Sequence, residues 1–526
     1  MDEFAVQRWA GRAALAAGDY RTAEVAFAAV VARAPHDADA LGGLADAFLG
    51  GGHVLAAANA ARRAIAAAPQ HVAAYVTRAY ALARMGDYRG TVAALESARE
   101  RAPHDVAVLQ LLANAYTREN RIAEARTAIE SALAIEPDAP DSRLVLAKVL
   151  RIAGQLDDAE REISAALEAG LASAATQVAL AEVALDRGAW DDASAAYERA
   201  LALAPDLPEA RYGRALAQLR AGNYRAGFAE YAAILELRDS PGYFYRAAGV
   251  PLWDGSPLGD RRLVIASEQG LGDQIMIARF FPHLAAVGPN VTIEAPAKLY
   301  ALFVASFPHL TFREYVRLAP IDSMDVHLPN MQLPHVLGVA DDLAPEMPYL
   351  RPSAAALDAM RGRIAPEPAK RQIGIVWRGN PKNPRQRLRG TTLADWEPLR
   401  SLAGVTFHSL QIDAGEHECA TAPFAFASRM TGTETLDETA ALMASLDLII
   451  SVDTSSVHLA GALARPVWLA NPLASDYRWG TDGESTPWYP TMRIFRQPAL
   501  EAWQPVFERI AAALRSDGGV TASSPL

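Results

Sequence analysis

From residue 18 onward the apolar and small positions of the chain recur with a period of 34. Gly18, Gly52, Gly86, Asn120, Gly154, Gly188 and Gly222 mark the period. Two residues after each comes an aromatic or aliphatic side chain (Tyr20, Val54, Tyr88, Ile122, Leu156, Trp190, Tyr224), and three further on a small residue (Ala23, Ala57, Thr91, Ala125, Ala159, Ala193, Gly227). Pro35, Pro69, Pro103, Pro137 and Pro205 close most units. Gly or Asn supplies a tight turn between two helices, the small residue lets the helices approach, and proline stops the second. The spacing predicts seven helical hairpins over about residues 4–240.

Near residue 240 this pattern gives way to Ser240-Pro241-Gly242-Tyr243-Phe244-Tyr245 and Pro251-Leu252-Trp253-Asp254-Gly255-Ser256-Pro257. Short apolar runs then alternate with amphipathic stretches: Leu263-Val264-Ile265-Ala266, Val291-Thr292-Ile293, Ile373-Gly374-Ile375-Val376-Trp377, Val405-Thr406-Phe407 and Leu448-Ile449-Ile450-Ser451-Val452. Strands alternating with helices predict parallel sheets covered on both faces. A second break falls at Pro348-Tyr349-Leu350-Arg351-Pro352 and Pro366-Glu367-Pro368. The expected order is a repeat array (1–240), a linker (241–261), two doubly wound lobes (262–365 and 366–515) facing each other across a cleft, and a flexible tail (516–526).

The front half resembles the tetratricopeptide repeat. Stacked hairpins of that kind form an α-solenoid with a concave face for an extended partner, or serve only as spacer or dimerisation element. The O-linked N-acetylglucosamine transferases line such a superhelix with asparagines that hold peptide backbone. Here the equivalent positions are Asp46, Tyr80, Asn114, Lys148, Glu182 and Leu216, which does not support a generic peptide clamp.

Composition narrows the classes of function. The chain has 526 residues, enough for two or three domains, with 51% hydrophobic and 21% charged residues. Its net charge of −11, from 50 basic and 61 acidic residues, argues against nucleic acid as the principal ligand. A single cysteine, Cys419, excludes an intramolecular disulfide and any cysteine-based zinc site, as expected for a reducing compartment. The start, Met1-Asp2-Glu3-Phe4, lacks a basic-then-apolar signal, and no stretch has the length of a membrane span. A cytoplasmic protein with no membrane span is expected.

Three segments carry the chemistry. Leu263 through Ile275, ending Glu268-Gln269-Gly270-Leu271-Gly272-Asp273-Gln274, is a strand, a glycine turn and a helix start. Ligands sit at such strand ends, so Asp273 is either a cleft carboxylate or a helix cap. Two glycines are too few for a dinucleotide fingerprint, and no Gly-Lys-Ser/Thr follows. The second segment, Trp377-Arg378-Gly379-Asn380-Pro381-Lys382-Asn383-Pro384-Arg385-Gln386-Arg387-Leu388-Arg389-Gly390, is a basic loop suited to a diphosphate or sugar carboxylate, or simply a solvated loop. The third, Leu448 through Leu463, is a buried strand ending in Asp453-Thr454-Ser455-Ser456, where a helix N-terminus and three hydroxyls offer an anion site. His458, one turn in, is either a nucleotide contact or an ordinary boundary residue. The other ten histidines show no metal spacing.

The Glu268–Gln274 run, Trp377-x-Gly379-Asn380 and Asp453-Thr454-x-x-x-His458-Leu459-Ala460-Gly461-Ala462-Leu463 resemble the heptosyltransferase-like glycosyltransferases of the GT-B fold, with two Rossmann-like lobes. With the Pro251–Pro257 segment, the chain over residues 4–500 is similar to bacterial proteins that fuse tetratricopeptide repeats to such a domain. The resemblance implies that Asp273 is the general base and that Asp453 through His458 bind nucleotide-sugar. The candidate donor-binding set is Gly272, Gln274, Trp377, Gly379, Asn380, Arg389, Ser409, Gln411, Asp453, Thr454, Ser455, Ser456 and His458. One departure stands out. The fused proteins usually carry Asn-Asp-x-x-Arg-Ser after Trp-x-Gly-Asn; here the run is Arg385-Gln386-Arg387-Leu388-Arg389-Gly390, and only Arg389 carries over.

The expected reaction is inverting glycosyl transfer without metal or cofactor: Asp273 deprotonates an acceptor hydroxyl, and Thr454–Ser456 with Arg389 stabilise the leaving phosphate. Some flagellin glycosyltransferases share this organisation and use a nonulosonic acid such as pseudaminic acid in its CMP form. The expected partners are therefore a nucleotide-sugar and an acceptor protein docked on the repeats, with flagellin a candidate. A saccharide or lipopolysaccharide acceptor, and a non-catalytic scaffold with a degenerate transferase domain, are the alternatives.

Overall fold

The computed structural model describes residues 4–237, 249–316, 324–343, 346–365, 367–380 and 386–516. The Ser240–Tyr245 segment, Pro366, Lys382, Arg385 and the tail from 517 lie outside the described residues, as do the side chains of Gln386 and Arg387.

Seven helix pairs run from Ala5–Ala16 and Tyr20–Arg33 to Pro208–Arg220 and Tyr224–Tyr231, with a 3-10 turn at Ala232–Glu236. The turn residue of every pair is left-handed, with φ between 59° at Asn120 and 86° at Gly52. That backbone is strained for residues with a Cβ, which explains why six of the seven are glycine. Side chains of Asp19, Asp37, Asp87 and Asp105 accept from the N–H three residues on and so start their helices. The small residues Ala23, Ala57, Thr91, Ala125, Ala159, Ala193 and Gly227 are buried where helices meet. In five pairs the second helix ends two residues before a proline.

Two parallel sheets follow. The first has the order β3-β2-β1-β4, with β1 Leu263–Ala266, β2 Val291–Ala295, β3 Thr311–Glu314 and β4 Val326–Pro329. The second has the order β10-β9-β8-β5-β6-β7. Its strands are β5 Arg371–Val376, β6 Val405–Ser409, β7 Phe426–Arg429, β8 Leu448–Val452, β9 Val467–Asn471 and β10 Met492–Arg496. Strands β1, β8 and β9 are buried along their whole length, as expected of parallel strands covered on both faces. Each sheet reverses its strand order beside its first strand, and the crevice at such a reversal is where open α/β sheets take ligands.

Two observations bear on the expected domain boundaries. Residues 249–261, assigned to a linker, are built into the first lobe. Leu252 bridges to His327, Trp253 N donates to the His327 carbonyl at 2.8 Å, and the Trp253 indole is buried with its N–H on the Ser256 carbonyl. The compact units also ignore the end of the repeat register. They are Met1–Val183 and Ala184–Leu526, so the last repeats belong with the two lobes rather than ending a separate array at 240. The physical reason is an aromatic and apolar contact: Tyr224 and Phe228 meet Trp488 edge-on at 5.6 and 6.4 Å, and Leu219, Phe228 and Tyr231 share one core with β1 and with Trp488 and Tyr489.

Candidate active site

The turn after β1 enters the helix Leu271–Ile277, and the turn after β8 enters the helix Ser455–Ala462. The two helices touch. A Cβ on Gly272 would lie 2.8 Å from His458 Cδ2 and 3.5 Å from Ser455 Cα, so only glycine lets the lobes meet this closely. Beside this contact Arg279 of the first lobe is buried among Trp488 and Tyr489 of the second, each ring 4.9 Å away.

Asp273 does two things at once. Its Oδ2 accepts the Gly270 N–H at 2.9 Å, which ties the first turn of the helix back to its start, and its Oδ1 is ion-paired with Arg478. The side chain that caps the helix thus also pairs with a cation of the second lobe. Arg478 also pairs with Asp476 at 2.6 Å; Asp476 lies 3.6 Å from Arg389, and Arg389 3.5 Å from Asp453. Five side chains thus form an alternating row, Asp273–Arg478–Asp476–Arg389–Asp453, running from one lobe into the other. Asp453 and Arg478 are almost fully buried in it. Burial pushes the Asp453 carboxyl up from its ordinary range, while the Arg389 charge pulls it back. The Nε of Arg389 has no hydrogen-bond partner among the described residues.

Close by, burial pushes the Glu268 carboxyl up to about 8, against a hydrogen bond from the Met331 N–H and with the Asp273 charge adding to the rise. Glu268 is therefore an acid held neutral next to a carboxylate.

Other candidates turn inward. Gln274 is buried, bonded to the Glu268 carbonyl and to Asn330. The Trp377 ring is buried in the second lobe with its indole N–H on Glu418 at 2.8 Å. Gln411 accepts the N–H groups of Trp377 and Arg378 at 3.3 and 3.2 Å and donates to Asp413, while Ser409 supports Gln411 from behind. These residues shape the turn after β5. Gly379 and Asn380 stand at its solvent side. Arg378, the first cation of the basic loop, is taken up by Glu418 and Asp413 at 2.8 and 2.6 Å.

At the third segment Thr454 caps its own helix, its hydroxyl accepting the Ser456 N–H at 3.2 Å. His458 is buried, bonded to the Tyr489 hydroxyl at 2.9 Å and stacked near Trp479. Burial and the nearby Arg478 hold its imidazole neutral, far below the usual range. It is a packing residue at the lobe contact rather than a cation for phosphate. Among the described residues, the cations of the row are Arg389 and Arg478.

Sequence reasoning missed Arg478 and Asp476. The available signal was Asp476-Tyr477-Arg478-Trp479, an acid and a base two apart just beyond the end of β9, the neighbour of β8. Among the described residues no three His, Cys, Asp or Glu side chains are grouped to hold a metal ion, and no helix is long and apolar enough to cross a membrane.

The fold and site define a tetratricopeptide-type repeat array joined to two parallel α/β lobes with a charged row between them. Comparison with known proteins agrees. Residues 10–72, 82–132, 118–182 and 182–222 match tetratricopeptide repeat families, and residues 413–469 match glycosyltransferase family 9 (heptosyltransferase). Protein FlbA of Caulobacter vibrioides is 27% identical over 384 residues, covering 61% of this chain and 63% of FlbA, so the match spans less than two thirds of that relative. A tetratricopeptide repeat protein from Parabacteroides merdae matches 44% of this chain and 91% of its own at 14% identity and a TM-score of 0.41. PilF of Pseudomonas aeruginosa matches 40% and 96% at 19% identity and a TM-score of 0.34. The chain is a tetratricopeptide-repeat protein that carries a glycosyltransferase family 9 (heptosyltransferase) domain.

Proposed function

We propose that the protein is an inverting, metal-independent protein O-glycosyltransferase of the cytoplasm. It takes a sugar, with a nonulosonic acid such as pseudaminic acid as first candidate, from a nucleotide-sugar and places it on Ser or Thr of a protein held by the repeats, with flagellin as the candidate acceptor. The observation that carries this reading is the charged row: a carboxylate, Asp273, from the first lobe set against Arg478 and Arg389, ending on Asp453 inside the family 9 match.

In this reading Asp273 accepts the proton of the acceptor hydroxyl as its oxygen attacks the anomeric carbon, and the bond to the leaving phosphate breaks. Arg389 and Arg478 meet the negative charge that develops there, which fixed cations do without reorganisation. Asp453 and Asp476 hold those cations in place and set their direction. Thr454, Ser455 and Ser456 bound the same end of the site, and Gly379 and Asn380 its β5 side.

The test is incubation of the full-length protein with flagellin and a panel of nucleotide-sugars, read by intact mass and site mapping. A sugar added to Ser or Thr supports the reading. Transfer only to a saccharide moves the acceptor to the lipopolysaccharide class. Donor binding without any transfer, or no donor binding, overturns it in favour of a scaffold.

A further inference from the structure

Arg220 occupies the same place in the seventh repeat as Arg84 and Arg118 do in the third and fourth, two residues before the turn. Those two serve the array: Arg84 donates to the Leu49 carbonyl of the preceding repeat, and Arg118 lies over the Tyr88 ring at 5.5 Å. Arg220 likewise lies over the ring of the preceding repeat, Trp190, 4.4 Å from its centre, but in addition sends Nη1 to within 3.5 Å of the Asp476 carbonyl. Gly188, the turn of the sixth repeat, leans on the same loop, since a Cβ there would meet the Leu473 carbonyl at 2.7 Å. The helix Pro208–Arg220 packs on the turn Tyr477–Trp479. Tyr212 of that helix pairs edge-on with Tyr231 at 5.2 Å. The loop so enclosed, 472–479, carries both Asp476 and Arg478.

We infer that the sixth and seventh repeats are part of the transfer site, and that Arg220 is a positioning residue that fixes the 472–479 loop so that Asp476 and Arg478 face Asp273 and Arg389. Arg220 touches no reacting atom. It acts through the backbone of Asp476, whose side chain orders two cations of the row. The inference deepens the proposed function and rests on it for its kinetic arm, whereas the placement of the loop can be read without any activity.

The experiment compares the full-length parent with Arg220→Ala, Arg220→Lys and, as control on the same helix, Arg211→Ala, whose partner is the exposed Glu236 of the 3-10 turn at 3.0 Å. Hydrogen exchange measured by mass spectrometry is the first readout. Peptides within 472–480 are expected to exchange at least about tenfold faster in Arg220→Ala, with β8, β9 and the helix Pro208–Arg220 unchanged, because only a local opening is released. Turnover is the second: kcat is expected to fall at least about tenfold with KM for the donor within about threefold, and Arg220→Lys to recover most of the loss. Exchange in 472–480 within twofold of the parent overturns the inference. So does faster exchange spread evenly over 184–516, which marks a merely structural role. A parent without turnover overturns the proposed function and leaves the exchange result to decide the role of Arg220.

Discussion

Asp273→Asn separates the two roles that the structure assigns to one side chain. The amide keeps an oxygen for the Gly270 N–H, so the cap survives and the helix start costs at most a few tenths of a kcal/mol. What it loses is charge. Removing one partner from a buried ion pair costs about 3–5 kcal/mol when the other is left uncompensated. Arg478 keeps Asp476 at 2.6 Å, and the Asp273 side chain is 23% exposed, so the expected destabilisation is lower, about 1–2 kcal/mol. Turnover should fall much further, by roughly 100- to 10,000-fold, the range for loss of a general base, equivalent to about 3–5 kcal/mol of barrier. Donor affinity should stay within a few-fold. Arg478→Met makes the complementary loss: it leaves the base, removes a cation from the phosphate side, and should weaken donor binding by at least about tenfold. Urea denaturation, calorimetry with the nucleotide-sugar and steady-state turnover on the two single variants and the double separate these effects. Turnover of Asp273→Asn within threefold of the parent would reduce Asp273 to cap and ion-pair partner and place the base elsewhere.

Arg389→Ala should weaken donor binding by at least about tenfold and should also lower fold stability, because it takes away the charge that offsets burial of the Asp453 carboxyl; unchanged affinity by calorimetry, in protein shown to be folded, would remove the phosphate from this end of the row. Gly272→Ala should cost about 1–3 kcal/mol in urea denaturation, because the new methyl meets a His458 ring already held by Tyr489 and Trp479; an unaltered midpoint would show that the lobes are not in contact there. For Glu268 the sign is set by proton uptake: the native carboxyl keeps its proton up to about 8, whereas the unfolded one releases it near 4.5. Between those values the native state binds more protons, so stability falls as pH rises, by at most about 1.4 kcal/mol per unit. Glu268→Gln should flatten that decline between pH 5 and 8, and an identical slope in the variant would contradict the assignment.

The helix pairs were legible because their cause is local. A left-handed turn excludes most side chains, so Gly or Asn must recur wherever the hairpin does, and the period carries through all seven turns. The same holds for the buried strands β1, β2, β5, β6 and β8, whose apolar runs are bounded by turn residues. Strand β3 was not readable: Thr311-Phe312-Arg313-Glu314 is short, polar and partly exposed at a sheet edge, with no run to betray it. Within the site, the strand-end positions of Asp273, Asp453 and Arg389 could be found by motif. Which way a side chain points could not. Trp377, Gln274 and His458 stand at the expected strand ends and helix starts, yet each is turned into the protein by a specific hydrogen bond, to Glu418, Asn330 and Tyr489.

The end of the repeat register near residue 240 and the edge of the compact unit at Val183 differ for a related reason. A repeat register is set by the neighbours a helix has along the chain, and it reads the same whether the outer face of the last pair meets water or another domain. In the seventh repeat that face carries Tyr224, Phe228 and Arg220, which satisfy the repeat pattern and at the same time contact Trp488 and the Asp476 loop. Their apolar surface would be left open if the chain were cut at the end of the register, and Phe228 is fully buried. A transferase defined by sequence homology alone, starting after residue 240, therefore lacks the surface on which its own Asp476–Arg478 turn rests. The division that respects the packing falls within the sixth repeat, at Val183, so the second helix of that repeat and the whole seventh pair belong with the two lobes.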